Sequence, residues 1–191
     1  MTRVIEVGDG DDLPFNLVAA KADVNFPYPG EPIVSGAELQ LCRIHAKKLT
    51  NVDWRRSVLD RCSFTGHYID NNFGTETVVY ADGRVATGAL RACDFTEARL
   101  HACGFFNVDL GECRFAPWPT FLVMNPRVNG KVLAKKPWEG KLGVWVVVLQ
   151  SQSADCDALV FDAVEMSKRE KVKLESLRRA LKRFEGIVVT S

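Results

Sequence analysis

The sequence predicts a mainly β protein: a chain winding in square-cornered coils through its middle, extended at its C-terminal end by an α+β segment. Three observations carry that prediction. A large apolar residue returns at every fifth position, a series of small residues runs two positions before it, and a helix signature lies near the end of the chain.

The large series is Leu39, Ile44, Leu49, Trp54, Leu59, Phe64 and Ile69, then Leu90, Phe95, Leu100, Phe105, Leu110 and Phe115. A helix repeats its buried face every 3.6 residues and a strand every 2, so neither gives this spacing. The small series is Ala37, Cys42, Val52, Ser57 and Cys62, then Cys93, Ala98, Cys103, Val108 and Cys113. Large and small residues alternating on this period suit a chain that turns a corner every five residues. The large side chain fills the centre and the small one fits beside the corner. Four sides close one coil, and coils stack at about 4.8 Å with backbone hydrogen bonds between them. The large residues are therefore the expected structural core, enough for about three coils.

These residues resemble the pentapeptide-repeat family, whose consensus is A-(D/N)-L-x-x. Asp53 before Trp54, Asp94 before Phe95 and Asp109 before Leu110 match its middle slot, and CDFTEARLHACGFFNVDL is the best stretch. The resemblance covers roughly residues 36–116 and implies a short right-handed quadrilateral β-helix. Two features depart from the pattern. Lys47 and His67 fall on small inward slots, where a charge or an imidazole is costly. Leu90 also follows Ile69 by 21 residues rather than 20. Between them, Asp82–Gly83 flanked by Val78, Val79, Tyr80 and Val85 predicts a type I′ hairpin inserted at 75–88. It is either a register repair or a recognition element, and Tyr80, Asp82 and Arg84 are its candidate partner-binding residues.

One coil is twenty residues, which stacks Cys42 on Cys62 and Cys93 on Cys113. Buried reduced thiols are the expectation, since cysteine is small and readily buried; redox pairing and metal ligation are the alternatives. No Cys-x-x-Cys occurs, so the usual zinc and thioredoxin signatures are missing.

Residues 1–35 read as an N-terminal cap and linker, with one apolar stretch at Leu13–Ala20 followed by FPYPGEP. VGDGDD has the spacing of neither a phosphate loop nor a calcium loop and reads as a surface turn. Residues 117–191 read as the α+β extension. FLVM, KVLAKK, LGVWVVVLQ and ALVFDAV are expected strands, with Asn129–Gly130 and PWEG as turns. Ser167 to Glu170 predicts a capping box opening one amphipathic helix, whose buried face is Leu174, Leu177, Leu181 and Phe184, ending near Gly186. Its other face carries Lys168, Arg169, Lys171, Lys173, Arg178, Arg179, Lys182 and Arg183. That face is a solvated surface, an acidic protein's docking site or a nucleic-acid contact. Trp118, Trp138 and Trp145 suit packing or a partner surface.

Formal charge is +1 overall: −4 over residues 1–35, zero over 36–116 and +5 over 117–191. No strong field recruits nucleic acid. Met1–Gly10 is acidic without an apolar core, so no secretory signal is read, and the cytoplasm is the expected location. No apolar run is long enough for a membrane span. His45, His67 and His101 have no companion at metal spacing, and no nucleophile-elbow or phosphate-loop motif occurs. No catalytic, cofactor or metal site is expected.

The functional expectation is a non-catalytic protein-binding module, an immunity protein of bacterial type that inhibits a partner toxin or effector by direct contact. The partner-binding residues proposed for it are Tyr80, Asp82, Arg84, Trp138, Arg178, Arg179 and Lys182. The alternatives are a topoisomerase-protecting DNA mimic, which resemblance to the family suggests, and a scaffold or oligomer subunit. The family's DNA-mimic role needs a long acidic rod, whereas residues 36–116 are neutral.

Overall fold

Parallel strand pairing at a nearly constant sequence offset organises the first 115 residues. The structure is a computed structural model describing residues 2–135 and 143–190. It is 42% strand and 18% helix, so the chain is mainly β.

The first strands are β1 (Arg3–Glu6) and β2 (Val18–Ala20), followed by β3 (Ala22–Phe26) and β4 (Glu38–Gln40). Next come β5 (Arg43–Thr50) and β6 (Val58–Asp60), then β7 (Ser63–Ile69) and β8 (Asn72–Gly74). A hairpin of β9 (Thr77–Val79) and β10 (Val85–Thr87) interrupts the series. It resumes with β11 (Ala89–Arg91), β12 (Asp94–His101), β13 (Cys103–Phe106) and β14 (Arg114–Phe115).

Strands β1, β3, β5, β7, β12 and β14 form one parallel sheet, and β2, β4, β6 and β11 form another. After β1 and β3, whose partners lie 19 apart, the offset before the hairpin begins at 20 residues in both sheets: Asp23 with Arg43, Arg43 with Ser63, Val18 with Glu38, Glu38 with Val58. Across the hairpin the offset rises to 31, as in Ser63 with Asp94 and Val58 with Ala89. The inserted residues thus leave the stack and the next layer resumes in register.

Ten of the thirteen large residues, all but Ile69, Leu110 and Phe115, are buried at 6% exposure or less. Ile69 is half-buried, and Tyr68 takes the interior place. Strands β5 and β7 slip register between Ala46 and Leu49, so Leu49 pairs with Tyr68 and the beat shortens by one. Phe73 is the next interior residue. Leu110 and Phe115 are half-buried against the core in the last layer, Leu110 within a single 3-10 turn. The same slip relieves Lys47 and His67, which are exposed, while Ala46 is buried and Gly66 lies opposite it.

The corners explain the small residues. Lys21, Leu41, Arg61 and Ala92 have φ of 51, 53, 52 and 47° just before β3, β5, β7 and β12. Asn51, Asp70 and Ala102 have φ of 55, 53 and 55° just after β5, β7 and β12. Left-handed backbone costs a non-glycine residue about 1–2 kcal/mol, and these corners offset it by bonding across layers. Lys21 N donates to Gln40 O at 2.9 Å, Leu41 N to Asp60 O at 2.9 Å and Arg61 N to Arg91 O at 2.8 Å. The residue after each corner points inward and is buried: Ala22, Cys42, Cys62 and Cys93 on one side, Val52, Asn71 and Cys103 on the other. The cysteines are unbridged. Thiols of Cys42, Cys62 and Cys93 donate to the carbonyls of Ala19, Leu39 and Leu59 at 3.3–3.5 Å. Burial pushes the Cys103 thiol up to about 12.

The C-terminal segment comprises β15 (Thr120–Met124), α1 (Pro126–Leu133), α2 (Gly143–Gln150), β16 (Cys156–Asp162), α3 (Ala163–Glu170), α4 (Leu174–Leu181) and β17 (Ile187–Val189). Its strands join those of the stack in one sheet, ordered β17-β15-β16-β13-β8. β16 runs antiparallel to β13, pairing Cys103 with Val160 and Phe105 with Ala158. Leu122 and Val160 pack into the core of the stack, while Phe121, Val123, Leu159 and Phe161 belong to a second core with the helices.

Several expectations for this segment are corrected. KVLAKK contributes to α1 and LGVWVVVLQ to α2, both helical rather than extended, and Asn129–Gly130 lies inside α1 rather than in a turn. Pro126 occupies the first turn of α1, where its missing N–H costs nothing. At Gly130 the helices nearly touch: a Cβ there would lie 2.9 Å from that of Leu149. In α2, Trp145, Val146 and Leu149 are buried, a helical spacing. PWEG, with Trp138, falls outside the described residues. Ser167 opens no helix. It lies within α3, whose N-cap is Asp162, accepting from Val164 N at 2.7 Å and Glu165 N at 3.3 Å. Lys171, at φ 54°, ends α3. The single expected helix is therefore two, α3 and α4, with Leu177 and Leu181 buried on the second.

Candidate protein-interaction surfaces

Three surfaces carry the residues that the sequence singles out, or that burial leaves outward. The first is the hairpin. Tyr80 N donates to Arg84 O at 2.8 Å, Gly83 N donates to Tyr80 O at 2.9 Å, and Gly83 has φ 82°. A type I′ turn needs positive φ at both central residues, and Asp82 lacks it. The loop is instead a three-residue turn closed by a left-handed glycine. The Asp82 carboxylate accepts Arg84 N at 3.1 Å and pairs with its Nε at 2.6 Å. The Arg84 amide and guanidinium hold that carboxyl below the usual carboxylate range.

The hairpin packs against the N-terminal segment. The Arg84 guanidinium sits 4.3 Å from the centre of the Phe15 ring, and Phe15 meets Tyr80 edge-on at 5.5 Å. The Tyr80 hydroxyl also shares a hydrogen bond with Ser35 Oγ. Tyr80, half-buried, and Arg84, exposed, thus both touch the N-terminal segment, and Ala81, Asp82 and Gly83 at the tip are exposed as well. Val79 and Val85, cross-strand partners, are also exposed.

The second surface is basic and divided between two helices. Lys168 and Arg169 lie on α3, and Arg178 and Arg179 on α4, with Lys182 and Arg183 just beyond it. Arg178 is half-buried, its guanidinium 5.2 Å over the Trp118 ring. Arg179 and Lys182 are exposed.

The third surface was invisible to sequence reasoning. Helices α1 and α2 pack together and turn their outer faces to solvent. Val128 is 63% exposed, Val132 52%, Val147 63% and Val148 43%. Val128 and Val132 lie one turn apart, opposite buried Pro126, Gly130 and Leu133. A helical reading of LGVWVVVLQ would have divided its valines between two faces; a strand reading hid the division.

Among the described residues no cluster of His, Cys, Asp and Glu has the arrangement of a metal site, and no helix is long and apolar enough to cross a membrane. The VGDGDD stretch forms a turn in which Asp11 N donates to Gly8 O and the Asp12 carboxylate accepts Ile33 N at 2.7 Å. Comparison with family models, with curated proteins and with solved structures finds no match for this chain.

Proposed function

We propose that this chain is a non-catalytic protein-binding module of the immunity type, which neutralises a toxin or effector by covering part of its surface. The observation that carries this reading is the pair of exposed valines on each of α1 and α2. Val128 with Val132, and Val147 with Val148, are apolar side chains at 43–63% exposure that folding leaves in water, and a partner covering either helix would bury them. The exposed cations of α3 and α4 lie on the same C-terminal segment and suit an acidic rim on the partner. In this reading the layers are coils of a short right-handed quadrilateral β-helix of the pentapeptide-repeat kind. The 20-residue offsets, the left-handed corners and the inward column support it. The stack then acts as a rigid mount for the binding face. The DNA-mimic alternative has no comparable support, because residues 36–116 carry no net charge.

Co-expression with the product of the neighbouring gene tests the role. The expected result is co-purification and rescue of cells from that product; neither partner nor rescue would remove the reading. Val128→Asp combined with Val132→Asp, one turn apart on α1, is expected to weaken the complex by about 100-fold or more, because two contacts that the partner buries become unpaired charges. The melting temperature should stay within about 2 °C, since both side chains already face water. Calorimetric titration and thermal melts check the two halves of that expectation.

A further inference from the structure

Three neighbouring strands place three basic side chains in a row. His67 on β7 and Arg99 on β12 are register partners, and Arg99 Nη1 lies 3.5 Å from His67 Nε2. On β5, Lys48 immediately precedes Leu49, the partner of Tyr68, and so comes level with His67. Lys48 and Arg99 put a fixed positive charge at each end of the row, and each calls for a negative partner.

The row receives negative charge at one end only. Arg99 donates to the Asp162 carboxylate through Nε at 3.2 Å and Nη2 at 2.9 Å, and to Glu165 at 3.1 Å. Those carboxylates are already engaged. The other oxygen of Asp162 caps α3, and Glu165 also faces Lys168 Nζ at 3.7 Å. Lys48 forms no ion pair among the described residues.

The row borders a cavity of about 200 Å³, whose lining also includes Ile69, His101, Asp162 and Glu165. That volume is below the roughly 300–1,000 Å³ of sites for drug-sized ligands, so any occupant is small. His101, two residues after Arg99 on β12, also lines the cavity, its half-buried ring edge-on to Phe161 at 6.0 Å. Its Nδ1 is buried and has no hydrogen-bond partner among the described residues. A buried polar atom without a partner calls for one. Burial of the ring also lowers its pKa, which leaves a neutral imidazole able to donate from Nδ1.

We propose that this cavity binds a small oxyanion, a phosphate or a small carboxylate, held by Lys48, His67, the Nη1 edge of Arg99 and His101 Nδ1–H. The anion supplies the charge missing at the Lys48 end and the acceptor missing at His101. Its site lies where the stack meets α3 and is separate from the valine face, so the two can fail independently.

The test titrates the whole chain with inorganic phosphate and, separately, with acetate, at constant ionic strength. Imidazole proton signals report occupancy. Saturable shifts at His67 and His101 are expected, with His45, bonded to Thr65 outside the cavity, unmoved. Saturation by phosphate alone assigns a tetrahedral anion, and saturation by acetate assigns a carboxylate. Lys48→Met is expected to weaken binding about tenfold, the loss of one charge-assisted contact. Lys47→Met, which removes a neighbouring exposed charge, should bind as the parent does. Linear shifts without saturation for both anions would overturn the proposal. So would Lys48→Met binding as tightly as the parent, or Lys47→Met weakening binding equally.

Discussion

Trp54→Ala is expected to lower the free energy of unfolding by about 5 kcal/mol, the upper end for large aromatic truncations. Trp54 is fully buried at the centre of the aromatic column. The rings of Phe26, Phe64 and Phe73 surround it at 5.9, 5.9 and 6.0 Å. Its Nε1 donates to Asn71 Oδ1 at 3.1 Å, while Asn71 Nδ2 donates to the carbonyls of Leu49 and Ile69. Truncation opens a cavity that rigid strands cannot close, and it orphans a buried amide oxygen. The second loss alone is worth about 1–3 kcal/mol. Trp54→Phe separates the two, retaining most of the packing and losing only the hydrogen bond. Equilibrium urea unfolding of both variants checks the ordering; a loss below about 2 kcal/mol for Trp54→Ala would be too small for a core truncation.

Gly66→Ala is expected to cost about 3–5 kcal/mol, combining a strained backbone with a steric clash. Gly66 has φ 96°, and a Cβ built there would lie 1.8 Å from the carbonyl oxygen of Ala46. That oxygen is backbone in the neighbouring layer, so relief requires β5 and β7 to part where their register slips. Gly83→Ala is the control. Its φ of 82° is similar, but nothing lies within 4 Å of its Cβ. It should cost only the left-handed penalty of about 1–2 kcal/mol. Denaturant midpoints that place the two variants together would mean the approach of the layers is looser than described.

The interior was legible because a five-residue period has few physical solutions. Leu39, Ile44, Leu59, Phe95 and Leu100 face inward as that period requires, and Cys42, Cys62, Cys93 and Cys103 occupy small slots after left-handed corners. The place of Tyr68 was not legible. A one-residue slip in a single layer leaves no pattern in a sequence where Ile69 completes the beat equally well. Helix α2 was misread because valines favour strands. What decides its form is packing: Trp145 meets Phe121 and Phe161 at 6.4 and 5.8 Å. The helix start was missed because Asp162 looks like the end of an apolar strand, which it also is.

The surfaces were legible in part. The hairpin's existence followed from Asp82–Gly83, but its contact with Phe15 and Ser35 joins distant stretches of chain. The row of Lys48, His67 and Arg99 depended on strand offsets that include both the slip and the insertion. Neither offset can be counted without knowing the layers.

Cross-strand nuclear Overhauser contacts in uniformly labelled protein test whether parallel layers stack around one apolar column, at an offset of 20 residues that the hairpin raises to 31. The expected result is parallel-pattern contacts linking Asp23 to Arg43, Arg43 to Ser63 and Ser63 to Asp94, with the methyls of Leu59 in contact with those of Leu39 on one side and Leu90 on the other. Antiparallel contacts between successive segments, or Leu39 and Leu59 side chains without contact to one another, would contradict it.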